Sequence, residues 1–147
     1  MSKPTPQTRE AFAHLSTITT RWMDNDIYGH VNNVTYYSYF DTAVNRYLIE
    51  AGVLDIHAGS VIGLVIETHC NYFASLGFPK NVEAGIRVAH IGRSSVRYEI
   101  GLFEEGQESS AAIGHFVHVY VDRENRRPVA ALPDDFLQAL RRLQMPS

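Results

Sequence analysis

The sequence contains one cysteine among its 147 residues, Cys70. A single thiol cannot close an internal disulfide, which suits a reducing cytosol. The chain also lacks the run of roughly 18 apolar residues that a membrane-spanning helix needs. Its first residues, MSKPTPQTREAF, lack the apolar run that is typical of a secretory signal. The net charge of −3 gives no basic surface, so we expect a cytoplasmic protein that binds neither membrane nor nucleic acid.

The length fits one domain, which we place at 1–147, with 1–13 as a short, frayed polar tail. Apolar residues at helical spacing predict a helix over 34–51, buried on most sides, with Gly52 at its C-terminus. β-Branched and alternating apolar residues predict strands. The expected strands are 14–22, 61–74, 82–90, 96–102 and 113–121, and a short helix over 134–143 ends the chain.

One strand, a buried helix and four strands in meander order predict an α+β domain whose antiparallel sheet wraps one side of the helix. Several strands carry apolar residues on both faces. Because a single helix covers only one face of a sheet, a partner subunit is expected to cover part of the other. The pattern therefore predicts an oligomer.

The stretch DNDIYGHVNN, residues 24–33, is polar and lies directly before the apolar helix. Its residue types are those of an ordinary turn followed by a helix cap. The same position also suits chemistry, because the first N–H groups of a helix are unpaired and carry partial positive charge. They can polarise a carbonyl oxygen, and Gly29 leaves room for a close approach. A carboxylate at Asp26 can attack the carbonyl carbon or take a proton from water.

The stretch RWMDNDIYGHVNNVTYYSYFDTAVNRYL closely resembles the start of hotdog-fold acyl-CoA thioesterases of the 4-hydroxybenzoyl-CoA thioesterase type. The resemblance continues through GLVIETHCNYFASLGFPKNVEAGIRVAHIGRSSVRYEIGLF and covers roughly residues 14 to 136. It implies hydrolysis of an acyl-CoA to a free acid and CoA, without a metal or redox cofactor. It also implies a homodimer, often paired into a homotetramer, with active sites at the subunit interface.

By position, Asp26 matches the family's catalytic aspartate, acting as nucleophile or general base. Asn33 matches the residue whose backbone N–H polarises the thioester carbonyl. Asp24 matches a second acidic position that holds the loop. The resemblance places Arg93 on the CoA nucleotide, and the neighbouring Ser94 and Ser95 are further candidates for substrate binding, together with Gly29 and His30.

Glu67, in an apolar strand, is either a second acid or base or a glutamate paired within the fold. His115 and His118 are three residues apart on a strand and should point to opposite faces, which argues against a metal site. Two other functions remain open: a hotdog hydratase of enoyl thioesters and a non-catalytic acyl-CoA binding protein. The acyl group is not defined by the sequence, and an acyl carrier protein could replace CoA as the donor.

Overall fold

The computed structural model describes residues 3–146, so Met1, Ser2 and Ser147 of the expected domain lie outside the described residues. Five strands and two α-helices are found in the described part of the chain. In chain order they are β1 (His14–Ile18), α1 (Asn33–Glu50), β2 (Val61–Tyr72), β3 (Val82–Ile91), β4 (Ser95–Glu104), β5 (Ala112–Asp122) and α2 (Asp134–Arg141).

Helix α1 begins and ends where the sequence predicts. The side chain of Asn32 accepts a hydrogen bond from the Val34 N–H and caps the helix. Gly52, just past the C-terminus, has a φ of +77°, a conformation that glycine adopts without steric cost. The expected burial on most sides is wrong within one chain, because the sheet covers only one face of the helix and the other is exposed. The buried residues recur at helical spacing: Tyr36, Tyr39, Phe40, Ala43, Val44 and Leu48.

The sheet is antiparallel, in the order β1-β3-β4-β5-β2. The α+β hotdog fold, with one main helix against the sheet, is confirmed. The expected meander of four strands is wrong, because only β3, β4 and β5 follow one another. Short turns force those three strands to be neighbours, whereas residues 73–81 are long enough to cross the roughly 14 Å that separate β2 from β3. Strands β1 and β2 form the two edges.

The first strand is shorter than predicted and ends at Ile18. The hydroxyl of Thr20 donates to the Lys80 carbonyl oxygen at 2.8 Å. A turn of 3₁₀ helix, Trp22–Asp24, then follows. The Asp24 carboxylate accepts a hydrogen bond from the Arg21 N–H at 2.9 Å. These local bonds redirect residues that β-propensity alone assigned to the strand.

The expected frayed tail is wrong for its second half, which packs on the sheet. The Gln7 N–H donates to Ser110 Oγ at 3.0 Å, and Arg9 lies 2.8 Å from Glu83. Phe12 is only 6% exposed and occupies the space beside Gly85 and Gly101. The Phe12 ring holds this segment on the sheet, which the polar composition of residues 1–13 did not predict. No helix within residues 3–146 is long and apolar enough to cross a membrane.

Candidate active site

Residues 24–32 form a small hairpin that returns the chain to the start of α1. The Asn32 N–H donates to the Asp24 carbonyl oxygen, and the Asp26 N–H donates to the His30 carbonyl oxygen, both at 2.8 Å. Gly29 has a φ of +80° in the turn, which explains the need for glycine there. We call this segment the 24–32 hairpin.

The hairpin is fixed to the connection between β2 and β3. The Val31 N–H donates to the Leu76 carbonyl oxygen at 2.8 Å. The Asn25 side-chain oxygen accepts a bond from the Phe78 N–H at 3.1 Å. Both contacts restrain the turn that carries Asp26, so the position of its carboxylate is set by the fold.

The two oxygens of the Asp26 carboxylate differ in their hydrogen bonds. Oδ1 accepts hydrogen bonds from the N–H groups of Tyr28 at 2.9 Å and His30 at 3.4 Å. Within residues 3–146, no protein group donates to Oδ2. The side chain is half-buried and lies in the hairpin. One oxygen therefore orients the carboxylate, while the other accepts no hydrogen bond from the described residues.

Some of the first N–H groups of α1 have hydrogen-bond acceptors and one does not. Oδ1 of Asn32 accepts from the Val34 N–H at 3.0 Å, and the Asn32 carbonyl oxygen accepts from the Thr35 N–H at 2.9 Å. The Asn33 N–H has no acceptor in the described part of the chain. Asn33 is exposed, so its N–H can bind an external oxygen where the helix dipole is positive.

Asp24 is buried between the hairpin and α1. Its carboxylate accepts from the Arg21 side chain at 3.0 and 3.1 Å and from the Tyr39 hydroxyl at 2.8 Å. Burial raises the pKa of Asp24, but the bonds from Tyr39 and Arg21 outweigh it and hold the pKa below its ordinary value. These bonds tie the hairpin to the helix.

Apolar side chains surround the hairpin, and the sequence interpretation missed them. Trp22 is 77% exposed and Ile27 is 92% exposed. With Met23, Asn25, Asp26 and Gly29 they line an open cleft of about 580 Å³. A signal was present in the sequence, since large apolar residues flank the two aspartates of a polar loop on both sides. Such a surface suits an apolar substrate or a second subunit.

Glu67 is not brought to the hairpin within one chain. It pairs with Val117 across β2 and β5, on the sheet face opposite the buried Phe116 and His118. Its carboxylate lies 2.8 Å from His115 Nε2 and 3.9 Å from Arg97. The predicted opposite orientation of His115 and His118 is confirmed by the alternating burial of β5.

Arg93 and Ser94 lie in the turn between β3 and β4, and Ser95 is the first residue of β4. Backbone bonds of 2.7 Å hold this turn, from the Gly92 N–H to the Ser95 carbonyl and from the Tyr120 N–H to the Ser94 carbonyl. Arg93 is exposed. The hairpin contacts residues just before β3, whereas this turn follows β3, so the two are about 30 Å apart in one chain.

Solved structures of similar proteins share this architecture. The PA5185 protein of Pseudomonas aeruginosa strain PAO1 is 56% identical, with a TM-score of 0.94 over 97% of this chain and 99% of that chain. The PA2801 protein of the same species is 27% identical, with a TM-score of 0.78 over 88% and 98%. The 1,4-dihydroxy-2-naphthoyl-CoA thioesterase Slr0204 of Synechocystis is 14% identical, with a TM-score of 0.78 over 90% and 98%, and shares the fold.

The family comparison covers both the hairpin and the sheet. Residues 20–140 match the model described as the thioesterase-like superfamily. That span runs from before the hairpin to the end of α2, which is most of the chain. Membership supports thioester hydrolase activity, and the chain belongs to the thioesterase-like superfamily.

Proposed function

We propose that this protein is an acyl-CoA thioesterase that releases a free acid and CoA. The proposal depends on two groups that have no hydrogen-bond partner among residues 3–146. One is Oδ2 of Asp26, on the 24–32 hairpin, and the other is the N–H of Asn33, directly after the hairpin. The first is a base or nucleophile, and the second is a donor for a developing oxyanion. Family membership supplies the thioester.

In the reaction, the thioester carbonyl oxygen accepts a hydrogen bond from the Asn33 N–H. Asp26 takes a proton from water as the water oxygen adds to the carbonyl carbon, and the carbonyl electron pair moves to the oxygen. Collapse of this intermediate breaks the C–S bond, and CoA leaves as a thiolate that then takes a proton. If Asp26 adds to the carbon itself, CoA leaves first and water hydrolyses the mixed anhydride.

The active assembly is proposed to be a homodimer joined through β2. This edge strand is long, Val61–Tyr72, and exposes Val65 (47%), Ile66 (62%) and Tyr72 (44%). An unpaired apolar edge is a template for a second strand. A second copy related by a two-fold axis would continue the sheet as an antiparallel β2 pair. A pair of such dimers would give the homotetramer.

This dimer would complete the substrate site. In a two-fold pair the strands of the second copy run in the opposite direction, so its β3–β4 turn lies at the sheet end where the first copy has its hairpin. Arg93 of the partner subunit then lies at the same end of the sheet as Asp26. Its charge suits the phosphates of CoA, with Ser94 and Ser95 beside it and Gly29 and His30 near the thioester.

The experiment that tests the function is thiol release from a panel of acyl-CoAs by the wild type and Asp26→Asn. Asparagine keeps an Oδ1 that can accept from Tyr28 and His30, so the substitution removes charge without removing the turn. We expect turnover to fall at least about a hundredfold. Circular dichroism and melting curves would check the fold.

A matched control is available at Asp55, whose Oδ1 accepts from the N–H groups of His57 at 2.9 Å and Ala58 at 3.0 Å. Asp55→Asn makes the same chemical change in the same kind of turn, after α1, and should leave turnover unchanged. Equal rates for wild type and folded Asp26→Asn would remove Asp26 from the mechanism. No thiol release by the wild type from any acyl-CoA would overturn the proposed function.

A further inference from the structure

The most exposed large apolar side chains are clustered beside Asp26. Trp22, Met23, Ile27 and Tyr28 are between 73% and 92% exposed, and no other large apolar side chain within residues 3–146 is exposed as far. Single exposed apolar residues are ordinary on a protein surface, but a group of them at one place indicates a binding surface. These four residues therefore form an apolar patch within an otherwise polar segment.

Three of these side chains line the same cleft as Asp26. The cleft has a volume of about 580 Å³. Its lining consists of Trp22, Met23, Asn25, Asp26, Ile27 and Gly29, and we call it the hairpin cleft. A carboxylate that can act on a carbonyl and walls that can hold an apolar group are thus brought into one cavity.

The walls of the hairpin cleft are held in place by the connection between β2 and β3. The centroids of the Trp22 and Phe78 rings are 6.1 Å apart, and the ring planes are nearly perpendicular, at 83°. The Phe78 N–H donates to Asn25 Oδ1 at 3.1 Å. The Val31 N–H donates to the Leu76 carbonyl oxygen at 2.8 Å. Because the cleft is formed before a ligand arrives, binding loses little conformational entropy.

The hairpin cleft offers a ligand few polar groups. Oδ1 of Asn25 already accepts from the Phe78 N–H. Oδ1 of Asp26 already accepts from the N–H groups of Tyr28 and His30, and the proposed reaction uses Oδ2. No basic side chain is among the lining residues, so an anionic group of a ligand would be buried without a partner. The lining therefore favours an apolar group.

We propose that the hairpin cleft binds the acyl group of the thioester and that this group is a hydrocarbon without polar substituents. The inference rests on the proposed function, because it places the carbonyl carbon at Asp26. From that carbon the acyl group extends between Trp22, Met23 and Ile27. Binding removes apolar surface of both the protein and the acyl group from water, which is favourable. The unbranched side chain of Met23 can adjust to the shape of the acyl group.

A second copy of the chain fits the hairpin cleft less well than an acyl group does. Its side chains would enclose Asp26, and a carboxylate buried without a donor for each oxygen is costly. Arg21, next to Trp22 in the sequence, already donates to Asp24 at 3.0 and 3.1 Å. The proposed dimer instead uses β2, an edge of the sheet. A substrate leaves Asp26 free to react.

Trp22 is the single tryptophan of the chain, so its fluorescence reports the hairpin cleft directly. The probe is the ketone analogue of octanoyl-CoA, in which a methylene inserted between the carbonyl and the sulfur prevents hydrolysis. We expect this probe to shift the emission to shorter wavelength and to protect Trp22 from quenching by iodide, since the ring passes from water to an apolar contact. CoA itself and the ketone analogue of acetyl-CoA should do neither.

Kinetics with matched substrates test the same contact in the reaction. The first ratio is the kcat/KM of octanoyl-CoA divided by that of acetyl-CoA. The second ratio divides it by the kcat/KM of the eight-carbon acyl-CoA that ends in a carboxylate. We expect both ratios to exceed about ten in the wild type.

Ile27→Ser should reduce the first ratio about tenfold, and the exposure of Ile27 means that the substitution leaves the core intact. Ile56→Ser is the matched control. Ile56 is also exposed and lines a different apolar cleft, after α1, with Ile49 and Leu54. The control should leave the ratio unchanged.

An unchanged first ratio in Ile27→Ser, or a wild-type value of one or less for either ratio, would overturn the inference and leave the proposed function standing. A probe that calorimetry shows to be bound without any change in Trp22 emission, or one that does not bind, would also overturn it. Light scattering tests the other occupant. Separation of the assembly in Ile27→Ser with an unchanged ratio would assign the cleft to a second copy.

The failure of the proposed function has a different signature. If the wild type hydrolyses no acyl-CoA, the proposed function fails, and the fluorescence experiment still decides whether the hairpin cleft takes an apolar group. A shifted, protected Trp22 emission with the octanoyl probe, absent with CoA and with the acetyl probe, would support the binding site without hydrolysis.

Discussion

The hydroxyl of Tyr39 donates a 2.8 Å hydrogen bond to Oδ2 of Asp24, and so joins helix α1 to the hairpin that carries Asp26. Both side chains are buried, at 4% and 2% exposure. The bond is charge-assisted, because the pKa of Asp24 lies below its ordinary value and the group is ionised at neutral pH. The packing of the helix and the position of the candidate catalytic carboxylate are thereby linked.

We predict that Asp24→Asn lowers the free energy of unfolding by about 2 kcal/mol, since it weakens bonds to Arg21 and Tyr39. Tyr39→Phe should cost about 1.5 kcal/mol. Urea unfolding of both variants and of the double variant would measure the coupling between the residues. Additive losses would contradict a direct interaction.

The pH dependence of this interaction has a definite sign. The folded-state pKa of Asp24 is depressed, so its contribution is fully present above the ordinary pKa of 3.8 and is lost as pH falls through the lower folded value. Wild type and Asp24→Asn should therefore converge in stability in strong acid. A constant difference at all pH values would show that Asp24 acts through packing alone.

His118 should make the protein less stable in mild acid. Its pKa falls from 6.5 to about 4 on folding, so the unfolded chain binds a proton that the folded chain does not. Stability is therefore lost as pH falls from 6.5 towards 4, by about 3 kcal/mol at most. The titratable groups that face this ring are Asp41, Tyr98 and Tyr120, and burial raises the pKa of Asp41 above its ordinary value.

The measurement is the difference in unfolding free energy between wild type and His118→Gln at pH 7 and pH 4.5. The variant cannot titrate at this position. The wild type should therefore lose stability relative to the variant as the pH falls from 7 to 4.5. An Asp41→Asn background would remove the neighbouring carboxylate from the comparison. Parallel pH curves for wild type and variant would contradict a buried, neutral histidine.

A lysine at the β2 edge should separate the proposed dimer. Ile66 is 62% exposed on β2, and a charge on an edge strand prevents strand pairing. Light scattering should show Ile66→Lys as a monomer with reduced thioesterase activity, since the proposed contribution of Arg93 of the partner subunit would be lost. Leu15→Lys makes the same change on β1, the other edge, and should leave the dimer intact. The reverse result would place the interface at β1.

Arg93→Ala should raise KM for acyl-CoA about tenfold with kcat little changed, because the proposed contact is with the CoA phosphates, which do not react. The same acyl group on N-acetylcysteamine lacks the nucleotide and should be hydrolysed at the wild-type rate. Arg142→Ala, in an exposed residue after α2, is the control for loss of charge. Equal losses on both substrates would contradict a phosphate contact.

The elements of this fold were largely readable from the residues. The spacing of Phe40, Val44 and Leu48 predicts α1, Asn32 and Gly52 mark its ends, and alternation predicts the strands, because each is a local property of the backbone. Strand partners were not readable. The pairing of β2 with β5 depends on where the connection between β2 and β3 crosses the sheet, and alternation carries no information about that path.

The candidate site divides in the same way. The sequence by itself determined a polar turn with Asp26 before a helix with a free first N–H, since both follow from local residue types and backbone geometry. Only the tertiary structure showed that Asp26 holds one oxygen in its own turn, that Glu67 faces away from α1, and that Arg93 lies at the far end of β3. It alone paired His118 with Asp41, because residues 77 positions apart meet only when α1 packs across β5.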